Sequence, residues 1–113
     1  MRIVRGFPAH ALPGALGYAF PAAKAGAHAT ILYDRIEPLG QSGVISVSAL
    51  LGYAMAHEIG HVLLGTTEHS SDGVMKARWG KPEYRRAAGG LLEFTPSQGA
   101  AIRERLLRLL ARK

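Results

Sequence analysis

SVSALLGYAMAHEIGHVLLG, residues 46–65, is the stretch on which the fold turns. Val47, Leu50, Leu51, Ala54 and Met55 recur at three- and four-residue steps, the spacing that lays apolar side chains along one face of an α-helix. Ser46 or Ser48 offers a hydroxyl to the free N–H groups of the first turn. Gly65 stands where a left-handed residue ends a helix. The spacing predicts a helix from about Ser46 to Leu64.

On its N-terminal side, HATILYDRI (28–36) sets Ile31, Tyr33 and Arg35 against Leu32, Asp34 and Ile36. That alternation, with its β-branched and aromatic residues, predicts a strand over 28–36. Leu16 to Phe20 reads as a shorter strand ended by Pro21, and Pro38, Gly40 and Gly43 read as a turn. On the C-terminal side, residues 66–94 read as irregular. Thr95-Pro96-Ser97-Gln98 is a capping box with proline at the first helical position. The helix it opens puts Ile102, Leu106, Leu109 and Leu110 on one face, with Arg105, Arg108 and Arg112 away from it. That stripe reads most simply as a packing face. The expectation is one α+β domain over 1–113: a small mixed sheet packed on the central helix, with a C-terminal amphipathic helix.

A chain of 113 residues and 12.1 kDa has room for one core. With 48% hydrophobic and 19% charged residues, outright disorder is not expected. Zero cysteines exclude a disulfide framework and any thiolate metal site, so a bound metal must draw on histidines and carboxylates. No apolar run reads as a transmembrane segment. Pro8, His10 and Pro13 interrupt the N-terminus, so no signal peptide is evident. Neither compartment nor oligomeric state is legible from these features. The charge is uneven: residues 1–75 hold four basic and five acidic side chains, residues 76–113 ten and three. Without a nucleic-acid-binding motif beside it, the basic half reads as a solvated face, and no nucleic-acid partner is expected.

The central helix contains His57-Glu58-Ile59-Gly60-His61. Histidines four apart are about 6 Å apart along a helix axis and about 40° apart around it, so both rings reach one cation from the same face. Glu58 projects near that face, where it can hold a water on the metal rather than the metal itself. This is the H-E-x-x-H arrangement of zinc hydrolases. Two neutral histidines and a carboxylate on one mostly apolar helix are costly without a partner. A zinc site of this kind takes a third protein ligand and keeps one position open. Glu68, His69 and Asp72 all come soon enough after the helix to turn back toward it.

HEIGHVLLGTTEHSSDGVM (57–75) resembles the zinc-binding segment and Met-turn of the metzincin metallopeptidases, the matrixin-like branch in particular. By position, the resemblance implies His57, His61 and His69 as ligands of one catalytic zinc and Glu58 as general base. It also implies Gly65 as the helix-ending glycine, Ser70 as the serine after the third ligand and Met75 as the Met-turn residue. The intervals from His61 to Gly65 and from Gly65 to His69 are each one residue longer than in that family. The resemblance further implies a zincin-like fold and a zinc metalloendopeptidase acting on peptide or protein substrates. Residues 1–45 are all that precede the helix, which implies a minimal or trimmed version. In the family a strand in that region is the sheet edge along which an extended substrate pairs, a role that would fall on 28–36. Tyr84 and Tyr33 are candidates to assist at the oxyanion, although each reads more simply as a packing residue. The segment from Met75 to Trp79 would help to wall the substrate pocket.

Two other readings use the same histidines. One is a non-catalytic module in which zinc organises residues 57–75 and the basic C-terminal region binds an acidic partner. The other is a gluzincin-type regulatory peptidase with Glu68 or Glu83 as the third ligand. Glu58 favours catalysis, since a purely structural site has little use for a carboxylate that is not a ligand. The run from Ser70 to Met75 favours the metzincin pattern.

Overall fold

The computed structural model describes residues 1–6, 14–21 and 27–111. Pro8, His10, Pro13 and Arg112 lie outside them. In chain order the elements are β1 (Arg2–Val4), β2 (Gly17–Phe20), β3 (His28–Leu32), α1 (Tyr33–Gly40), α2 (Val47–Leu64), α3 (Lys81–Ala88) and α4 (Pro96–Ala111). The strands form a mixed sheet in the order β1-β3-β2, with β3 parallel to β1 and antiparallel to β2. This is a small α+β fold. Ile31, Ile36, Ile45, Leu50, Ala54, Val74, Met75, Ala87 and Leu92 form its buried core.

The central helix forms for the reasons its sequence suggests. Ser46 Oγ accepts the Ala49 N–H at 3.1 Å. Gly65 takes φ 68° and ψ 29°, and its N–H donates to the His61 and Val62 carbonyls. α2 packs against β2, β3, α1, α3 and α4. By length and composition alone it passes for a membrane crossing, but it is only weakly apolar and is no clear transmembrane span. Its central place among five packing partners accounts for that apolar character.

The strand expected over 28–36 stops at Leu32, and residues 33–36 begin α1. Leu32, Ile36 and Leu39 also recur at helical steps, and Ile36 is fully buried. Asp34 is drawn to the end of β1, where its carboxylate accepts from Arg5 at 2.9 Å and from the Gly6 N–H at 2.8 Å. Pro38 lies inside α1 rather than opening a turn. β3 is paired on both sides, so it cannot be the sheet edge. β2 stands at the edge of the described sheet instead.

The region read as irregular contains α3. Pro82 lies in its first turn, and Glu83 Oε1 accepts the Gly80 N–H at 2.8 Å, which is half of a capping box because glycine returns no side chain. At α4 both capping-box bonds form: Thr95 N–H to Gln98 Oε1 at 2.9 Å and Gln98 N–H to Thr95 Oγ1 at 3.3 Å. The expected packing face does not bury. No α4 residue is buried; Ile102 is half-buried, while Leu106, Leu109 and Leu110 are 43%, 47% and 63% exposed. Arg105 lies against Gly65, so a cation sits at the C-terminal end of α2.

These burial patterns predict unequal costs of truncation. Leu50→Ala should lower the unfolding free energy by about 2–5 kcal/mol, and Leu106→Ala should change it by about 0.5 kcal/mol or less, both read from urea unfolding. Comparable losses would mean that the α4 face is covered in solution.

Candidate metal centre

His57 and His61 stand one turn apart on α2, both buried. His57 Nδ1 lies 2.6 Å from the Val74 carbonyl oxygen and His61 Nδ1 lies 2.9 Å from that of Thr66. A carbonyl can only accept, so each Nδ1 carries the hydrogen and each Nε2 keeps its lone pair. Outer bonds of this kind orient metal-binding histidines. His69 returns after the Gly65 stop with its ring exposed. The ring centroids are 4.9 Å apart for His57 and His61, 5.3 Å for His57 and His69, and 4.8 Å for His61 and His69. One ligand nitrogen from each ring falls within 4.8 Å of the others, inside the span of a single cation's ligand shell. Three histidines thus lie close enough to bind one metal ion.

The loop after His69 positions the Val74 carbonyl. Ser70 donates its N–H to the Met75 carbonyl at 3.1 Å and its hydroxyl to the Asp72 carbonyl at 2.7 Å. The Val74 N–H donates to the Glu93 carbonyl at 2.8 Å. Gly73, at φ 79°, makes this turn possible, and a Cβ there would fall 2.5 Å from the Glu93 carbonyl oxygen. Met75 is buried against Gly60, between the two histidine positions of α2; a Cβ on Gly60 would fall 2.5 Å from its Sδ.

Glu58 is buried beside them. Gly17 on β2 faces it, and a Cβ on Gly17 would lie 3.0 Å from Glu58 Cγ and 2.5 Å from the Thr30 carbonyl oxygen. Only glycine lets β2 come this close. Burial pushes the Glu58 pKa up to about 7. Burial foremost, then the neighbouring His61 and His69 rings, pushes His57 down to about 4 against the opposing pull of the Val74 carbonyl. His61 is lowered too, mainly by burial. The 4.0 Å separation between His57 Nε2 and Glu58 Oε2 is therefore not an ion pair, because the imidazole is neutral wherever the carboxyl ionises. Neutral imidazole is the ligand form.

These groups line a cleft of about 460 Å³, together with residues 14–19 of β2 and its approach, residues 76–79 and Tyr84. Arg35 holds the Ala15 carbonyl at 2.7 Å, and the Leu32 N–H holds that of Leu16 at 2.9 Å. Tyr84 is half-buried in the cleft, its phenol pKa raised by burial and then by Glu83. Tyr33 does not line it; its ring lies under the Arg5 guanidinium at 4.7 Å. Glu68 and Asp72 are exposed and outside the cluster. Glu83 is buried but engaged elsewhere, by the Gly80 N–H at 2.8 Å, Arg86 at 3.0 Å and Lys76 at 3.4 Å. Sequence reasoning missed Gly17 and the two backbone carbonyls. No pattern could reveal the carbonyls, since every residue carries one.

Comparison with known proteins finds no protein-family model, no curated protein and no solved structure that matches the chain.

The opposed shifts give a signed prediction for the metal-free protein. Glu58 holds its proton to about pH 7 in the fold but only to about 4.5 unfolded, so its stabilising contribution is full below 4.5 and lost as pH rises through 7. His57 runs the other way, contributing fully above 6.5 and losing that contribution as pH falls through about 4. Glu58→Gln should therefore exceed the wild type in urea-unfolding stability at pH 8, by up to about 3 kcal/mol. The gain should largely vanish at pH 5. An equal gain at both values would show that burial does not shift this carboxyl.

Proposed function

We propose that the protein is a zinc-dependent peptidase of zincin-like type that hydrolyses peptide bonds in the cleft beside β2. The observation that carries this reading is Glu58, a buried carboxyl with no hydrogen bond among the described residues, next to the three-histidine cluster but not within it. It lines the same cleft. A purely structural metal site gives such a group nothing to do.

His57, His61 and His69 would hold the ion through one ring nitrogen each, the first two aimed by the Val74 and Thr66 carbonyls. Three imidazoles and no thiolate suit zinc in a site that keeps one position open. When bound, zinc supplies a Lewis acid that polarises a carbonyl and brings water toward ionisation near neutral pH. Glu58, tuned to about 7, is matched to accept a proton from water and return it to the leaving amine. Tyr84 offers a phenol that stays protonated and can donate a hydrogen bond into the cleft. Met75 supports α2 from behind, where Gly60 admits it between the two histidine positions.

A non-catalytic zinc module is the second reading, favoured by the exposed leucines and arginines of α4, a face suited to a partner. Glu58 separates the two. Wild-type protein should bind one zinc and cleave members of a mixed peptide library. His69→Ala should lose zinc on dialysis. Glu58→Gln should keep zinc by metal analysis while cleavage falls by about 10²- to 10⁴-fold. Wild-type cleavage rates in Glu58→Gln would remove the base, and the catalytic reading with it.

A further inference from the structure

We infer that the cleft selects peptides bearing a carboxylate near the cleaved bond, and that Arg78 is the residue that reads it. This rests on the peptidase reading. Besides the histidines, the cleft is lined by three ionisable groups of strong charge: Lys76, Arg78 and Glu58. Lys76 is committed, its Nζ 3.4 Å from a Glu83 carboxylate that is 3% exposed and also accepts from Gly80 and Arg86. The nearby acid Asp72 is paired with Arg86 at 3.0 Å. Glu58 stands beside the histidine cluster, its Oε2 4.0 Å from His57 Nε2.

Arg78 has no ion pair or hydrogen bond among the described residues. Its guanidinium reaches across the cleft: Nη1 would lie 3.9 Å from a Cβ on Gly14, on the wall that leads into β2. Bound zinc would add further positive charge, and Glu58 is the only carboxyl among the described residues that line the cleft. The other wall groups near Arg78, such as Ala15, Ala77 and Trp79, supply little that could pair with it. A planar guanidinium with five donors matches a carboxylate through two parallel hydrogen bonds. The carboxylate can belong to an Asp or Glu side chain or to the peptide's own C-terminus.

Trp79, the single tryptophan, stands with its ring 5.7 Å from that of His57 and makes cleft occupancy visible by fluorescence. The zinc-loaded full chain carrying Glu58→Gln, which blocks turnover, is titrated with matched peptides. One pair is a C-terminal acid against its amide; the other is an internal Asp against Asn in the amidated peptide. The acid member of at least one pair should bind about tenfold more tightly, and which pair responds identifies the source of the carboxylate. Adding Arg78→Ala should erase the preference, and Arg78→Lys should keep part of it. Equal binding within both pairs, or no binding at all, overturns the inference. So does a preference that survives Arg78→Ala, as direct ligation of the zinc by the peptide carboxylate would produce. With Glu58 intact, cleavage that ignores the carboxylate sinks this inference alone. An acid preference in binding without any wild-type cleavage sinks the peptidase reading and leaves Arg78 as an anion-recognition residue.

Discussion

Two imidazole N–H groups donating to backbone carbonyls, His57 to Val74 and His61 to Thr66, are the interactions on which the site depends. A buried polar group left without a partner costs about 1–3 kcal/mol. Each bond removes that cost for one nitrogen and sets the tautomer that frees the other. The Thr66 carbonyl is in place because Gly65 turns the chain left-handed directly after α2. The Val74 carbonyl is in place because the loop from Ser70 is tied to itself and to Glu93. A helix stop and a closed loop thus aim two rings at one point, and His69 closes the third side.

Close packing on both sides of α2 sets the chemistry of that point. Gly17 admits β2 against Glu58, and Gly60 admits Met75 behind the face that carries the two histidines. The same exclusion of water raises the acid and lowers the bases, because desolvation disfavours whichever form is charged. A carboxyl poised near neutrality and imidazoles held neutral are the states that water activation and metal ligation require. The second acidic site, Glu83, shows the contrary regime. Three donors, the Gly80 N–H foremost, surround its buried carboxylate, which stays below the ordinary carboxylate range and anchors α3 to Lys76.

The legible parts of the fold are those where independent local signals agree. For α2, apolar period, serine cap and glycine stop all point to one span. For 28–36 they conflict: Ile31, Tyr33 and Arg35 fit a period of two, while Leu32, Ile36 and Leu39 fit the helical period. Contacts from Asp34 back to Arg5 and Gly6, across 29 and 28 residues, belong with the helical outcome. α3 is too short, at eight residues, to show a period, although Pro82 and Glu83 mark its start. The amphipathic stripe of α4 is legible as a stripe, but its burial is not. Amphipathicity says which side of a helix would pack, not whether anything is there to pack against.

From the chain alone comes the shared face of His57 and His61, with Glu58 projecting near it, since 3.6 residues per turn set those directions in any helix that includes them. The boundaries of that helix come with it, because caps act within a few residues. The tertiary structure decided the rest: that His69 returns to complete the cluster, that β2 rather than β3 borders the cleft, that Val74, 17 residues from His57, orients its ring, and that Arg78 reaches the far wall with no partner among the described residues. These depend on how loops close and how near two backbones approach, and a linear order of side chains carries no distance between residues that are far apart along it.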